Sequence, residues 1–222
     1  MKKVFLLSYL LLFTLHIKAQ VPVSKEPRHH MVFENKKVRL LNVLLPPADT
    51  TQYHVHSTPS VFICFTKTNT ASQLIRQLSV SGTSNAGTIW FEDLKPPHIK
   101  IHRVWNLDTD TFHVMDIELL SADSGFSKKA TVLPHAQLII DTSWARAYKI
   151  ELARSEQVAV EEHSSAFIIV AITGGTITMI KNSARNTLPL QPGKFFWIEP
   201  DEQFIILNQA NHAINFALIE VR

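Results

Sequence analysis

Apolar residues fall in short blocks along most of the chain, separated by polar turns. Positions 37–45, 60–66, 111–119, 136–140, 147–152, 166–173, 176–180, 195–198, 204–207 and 214–221 are rich in Val, Ile, Phe and Thr. Turn chemistry lies between them: Pro46-Pro47-Ala48-Asp49, Gly174-Gly175, Pro192-Gly193 and Pro200-Asp201. Many short strands at this spacing predict an all-β sandwich or barrel. The one helix expected is short, at 72–78. The runs are too short for membrane-spanning strands, and no aromatic girdles recur.

The pattern repeats. A shift of 107 residues lays Arg39 on Arg146, Asp49 on Glu156, His56 on His163, Ser57 on Ser164 and Thr66 on Thr173. Each copy reads strand, acidic turn, strand with His, strand. Duplication predicts a first barrel over 33–122 and a second over 136–222. Residues 123–135, with Ser, Asp, Gly, Lys and Pro and little apolar periodicity, read as a linker. Residues 21–32 read as an N-terminal segment.

The first 20 residues stand apart. Lys2 and Lys3 precede an apolar run from position 4 to position 17, and small Ala19 follows. That order predicts a cleaved secretory signal peptide and an exported, periplasmic or secreted protein. The run of about 14 residues is short of the roughly 18 a spanning helix needs, so no stable membrane span is expected after cleavage. Three of the 22 Lys and Arg lie in this leader, leaving 19 against 19 Asp and Glu. A neutral mature chain lacks the basic footprint that nucleic acid requires. The single Cys64 lies in an apolar strand and has no partner for an internal disulfide.

Candidate chemistry centres on histidine. In Tyr53-His54-Val55-His56, alternate residues of a strand point to one face, so two imidazoles converge. His102 lies in a further alternating stretch, with Asn106 four residues on. Pairing the two strands would place three nitrogens around one ion. Neutral imidazole binds Fe, Mn, Zn, Ni or Cu.

On these residues the chain resembles the cupin superfamily. That family's first motif is Gly, five residues, H-x-H, then Glu and Gly; its second is Gly, P-x-G, then His followed four residues later by Asn. The first is matched from Pro46 to His56 and the second by Pro97, His102 and Asn106. The resemblance implies two tandem cupin-type double-stranded β-helix (jelly-roll) barrels, a bicupin-like exported bacterial protein. It implies a divalent transition metal on His54, His56 and His102, with Asn106 as a turn residue. It also implies a small-molecule ligand and pairing of chains into a homodimer. The departures are a missing Glu, whose place falls at Ser60 or Val61, Ala48 for the first Gly, and Ile99 for the Gly of P-x-G. His98 is the spare base or fourth ligand suggested by alternation. In the second copy Glu161 stands for the first His of H-x-H, Phe204 for the third, and His163 is left alone, so no metal site is expected there. His29-His30 read as solvated N-terminal chain, and the four Trp as core. Two functions stay open: a metal-dependent enzyme on a small organic molecule, or a non-catalytic small-molecule or metal binding protein of the cell envelope.

Overall fold

The computed structural model describes residues 20–121, 133–161 and 163–222. The expected leader and most of the expected linker lie outside the described residues. The first half contributes β1 (Val21–Pro22), β2 (His29–Glu34), β3 (Val38–Leu45), β4 (His54–His56), β5 (Ser60–Cys64), β6 (Thr68–Leu74), β7 (Val80–Ser84), β8 (Ile89–Glu92), β9 (Lys100–Asn106) and β10 (Phe112–Leu119). The second contributes β11 (Ala136–Asp141), β12 (Ala145–Leu152), β13 (Gln157–Val160), β14 (Ala166–Ala171), β15 (Gly175–Lys181), β16 (Ala184–Leu190), β17 (Phe195–Ile198), β18 (Phe204–Asn208) and β19 (Ile214–Val221). Among the described residues there is no α-helix, and none is long and apolar enough to cross a membrane. The helix expected at 72–78 is instead the end of β6 and the turn after it, because β6 pairs with β7 and β9 on either side.

Each half is two sheets. In the first, β1-β4-β9-β6-β7 faces β2-β3-β10-β5-β8; in the second, β13-β18-β15-β16 faces β11-β12-β19-β14-β17. The β3/β10/β5 and β12/β19/β14 sheets also pack on each other. Val61, Ile63, Met115, Ile117 and Leu119 meet Ile168, Val170, Ala217, Ile219 and Val221 in one shared core. Their strand neighbours Phe62, Cys64, Phe112 and Val114 point the other way, into the first barrel. This explains the near-unbroken apolar runs of β5 and β14: alternation puts successive residues on opposite faces, and both faces are buried. Each Val, Leu, Ile, Met or Phe among them contributes about 1.5–3 kcal/mol on burial.

The two halves share their turn devices. The Asn106 amide donates to the Leu45 and Asp110 carbonyls, and that of Asn208 donates to the Leu152 and His212 carbonyls. Thr66 Oγ1 accepts from the His113 N–H as Thr173 Oγ1 does from that of Asn215. Gly87 (φ 77°) donates to the Cys64 carbonyl as Gly193 (φ 84°) does to that of Ala171. The glycine turn of the first barrel is therefore at Gly87, before β8. The segment around Pro97 and Ile99 lies in the longer β8–β9 loop, and that insertion misplaced the spacing. Ala48, where the family has Gly, is held at φ 60°, and its counterpart Ser155 at φ 64°. Both occupy the left-handed region that glycine adopts without strain.

Candidate metal centre

The antiparallel register of β4 and β9 sets His54 directly opposite His102, and His56 opposite Lys100. His54 and His56, two residues apart, share the inward face. Their rings and that of His102 meet in the first barrel: His56 Nε2 is 3.1 Å from both His54 Nε2 and His102 Nε2. His54 is fully buried and His56 nearly so.

A fourth imidazole arrives from the other sheet. His29, on β2 opposite Val43, is 8% exposed and its ring centroid lies 4.6 Å from that of His54. Ligand atoms of His29, His54 and His56 all lie within 4.8 Å of one another. The solvated reading of the His29-His30 pair thus holds for exposed His30 only. A signal was present: Asn35-Lys36-Lys37 is a tight turn that folds 29–34 back as a hairpin partner of 38–45. In that hairpin His29 takes an inward position.

Neighbouring groups fix the ring orientations. His29 Nδ1–H donates to Glu26 Oε2 at 2.6 Å, and His54 Nδ1–H donates to the Gln52 carbonyl at 2.9 Å. Both rings are left with an Nε2 lone pair for the centre. Glu26 also accepts from the N–H groups of Arg28 and Gln52. Burial opposes its charge, but these bonds and the one from His29 outweigh burial and hold the carboxyl below its ordinary range. His56 Nδ1 is 3.5 Å from Asp116 Oδ2, too long for a hydrogen bond, and has no other partner. Asp116 is fully buried; burial, then nearby Glu118, pushes its carboxyl well above the usual range.

The donor set fits a metal. Burial, then His29, lowers His54 to about 4; burial, then His54, lowers His102 to about 2; burial, then His102 and His54, holds His56 well down. All three are neutral at pH 7. A single proton on His56 Nε2 can satisfy only one of its two 3.1 Å contacts, whereas a cation satisfies every lone pair. With bonds of about 2.0–2.1 Å, nitrogens at that separation subtend roughly 95–100° at an ion, near the angle of adjacent ligands in an octahedron.

The other sequence candidates are elsewhere. His98 precedes β9, is exposed, and lines a surface groove with Leu74, Leu94 and Ile99, away from the cluster. Ser60 bonds the Thr58 carbonyl and Val61 faces the shared core, so no ligand comes from the place of the family's Glu. In the second barrel Phe204 lies opposite Val160, as His102 lies opposite His54. Val160, rather than the exposed Glu161, therefore takes the position of His54. Ala136 takes that of His29, since it pairs with Ile150 as His29 pairs with Val43. His163 is buried against Phe167, with each ring nitrogen 2.6 Å from a backbone carbonyl, of Ser165 and of Glu202.

Beside the imidazoles lies a cavity of about 110 Å³, with Val43, Leu45, Phe62, Val104, Phe112 and Val114 as its apolar wall. Thr51, Trp90, Glu92, Lys100 and Asp116 complete it; the Trp90 ring stacks on Phe62 at 4.9 Å.

No family model matches the sequence, and a search of curated proteins finds no relative. Solved structures do match. The protein YhaK from Escherichia coli is 15% identical with a TM-score of 0.57, covering 86% of this chain and 90% of that one. A salicylate 1,2-dioxygenase from Pseudaminobacter salicylatoxidans is 11% identical with a TM-score of 0.59, covering 84% and 71%. A cupin 2 conserved barrel domain protein from Leptotrichia buccalis is 9% identical with a TM-score of 0.55, covering 86% and 87%. What they share with this chain is its architecture, and the chain carries the fold of the cupin superfamily, built twice in tandem.

Proposed function

We propose that the first barrel is a mononuclear transition-metal centre held by His54, His56 and His102, with His29 as a fourth ligand, serving a small organic molecule in the adjoining cavity. The observation that carries it is the approach of His56 Nε2 to 3.1 Å from two further Nε2 atoms, in rings that burial keeps neutral. When bound, a divalent ion supplies a Lewis acid for an oxygen of that molecule or, if it is Fe, Mn, Ni or Cu, a redox centre. The chain's own residues set the ring tautomers, exclude water and orient the ligand. Given the leader-like first 20 residues, the protein works outside the cytoplasm.

A second reading, capture without turnover, has one observation in its favour. The cavity offers no free base: the Glu92 carboxylate is tied to Lys100, and burial disfavours ionisation of Asp116. Elemental analysis of untagged protein tests the centre: about one transition metal per chain is expected. His56→Ala should lower metal content at least tenfold with the β signal intact, and His163→Ala should leave it unchanged. Equal metal in wild type and His56→Ala removes the assignment. Oxygen uptake with a redox-active ion separates an enzyme from a binding protein.

A further inference from the structure

Lys100 is a cation in the cavity wall that the metal centre does not use. It lines the cavity from β9, where Lys100, His102 and Val104 share a face. Residues two apart on a strand are about 6.6–6.8 Å apart. An ammonium, a ring nitrogen and an apolar side chain therefore follow one another along the cavity wall. Lys100 Nζ donates to both oxygens of Glu92, at 3.0 and 2.8 Å. The indole N–H of Trp90 donates to the same carboxylate, at 3.2 Å. The Lys100 and Glu92 side chains are 29% and 30% exposed.

This arrangement reads charge. Among the described residues, Lys100 is the only Lys or Arg in the cavity wall, which also carries the carboxyls of Glu92 and Asp116. An ion on the neighbouring imidazoles would add further positive charge. We propose that the cavity takes a small organic acid: Lys100 binds its carboxylate, and its apolar body lies against Phe62, Val43 and Val114 beside the histidines. Glu92 holds the ammonium in place until the acid arrives, then shares it. The volume limits the body to about a single ring or a short branched chain. This inference rests on the metal reading for the neighbouring imidazoles.

Benzoate and its neutral isostere benzamide test it, followed by calorimetry on metal-loaded protein. Wild type should bind benzoate at least tenfold more tightly than benzamide. Lys100→Gln should bring the two within twofold at unchanged metal content, and Lys100→Arg should keep the preference. Equal binding in wild type, binding of neither, or a preference that survives Lys100→Gln overturns the proposal. Metal content on the same samples separates the two readings. A full metal complement without benzoate preference overturns Lys100 recognition alone. A wild type that binds no metal yet prefers benzoate overturns the metal centre and supports Lys100.

Discussion

Opposite His54 in the first barrel stands His102; opposite Val160 in the second stands Phe204. Around these positions the frames agree closely. Asn106 and Asn208 tie the same turns, and Thr66 and Thr173 accept the same backbone N–H. Paired ions sit at the same places: Arg39 with Glu34 and Glu118, Arg146 with Asp141 and Glu220. The interiors differ. The second is closed by Phe167, Phe204, Phe216, Ile150 and Ile206, while the first surrounds a cavity with imidazoles. The turns and ladders therefore set the barrel, and the inward residues of a few strands decide whether it is filled or chemically equipped. The second barrel also presses a wide apolar face on the first, through the shared core.

The comparison predicts where each barrel breaks. Phe204→Ala should cost about 3–5 kcal/mol, read by denaturant unfolding, because it empties a closed core. His102→Ala in metal-free protein should cost about 1 kcal/mol, since it borders a cavity already present. Similar losses would mean that the first interior is packed after all.

Glu26→Gln should weaken metal binding about 10–100-fold in a cobalt titration, by loosening the hold on His29 Nδ1. An unchanged affinity would remove His29 from the ligand set.

Acid should destabilise the metal-free protein through the first barrel. In the unfolded chain these rings take up protons below about pH 6.5. The folded protein resists, with His54 at about 4 and His102 at about 2. The unfolded state then binds more protons, so stability is full above about pH 6.5 and falls as pH drops toward 4. Thermal unfolding across that range checks it, and a His54→Gln/His102→Gln variant should flatten the profile.

The smallest effect lies at the matched turns. Ala48→Gly and Ser155→Gly should each stabilise by about 0.5–1 kcal/mol, since left-handed backbone costs other residues about 1–2 kcal/mol and glycine returns part of that as entropy.

Much of this was legible beforehand, for physical reasons. Two-sided burial makes β5 and β14 near-continuous apolar runs, and period-two alternation converges His54 and His56. What alternation within one strand cannot show is which distant strand lies alongside. His29, Glu26 and Asp116 reach the centre through β2, the turn before it and β10, and Lys100 through the face it shares with His102. His98 looked eligible only on the assumption that β9 began earlier than Lys100. Gly87 was hidden because the β8–β9 loop is longer than the β17–β18 loop, which moved the second motif out of register.

The most direct test is an anomalous difference map from crystals of the metal-loaded protein. One peak per chain is predicted in the first barrel, about 2.1 Å from the Nε2 atoms of His54, His56 and His102. A peak elsewhere, or none after loading, would contradict the metal centre.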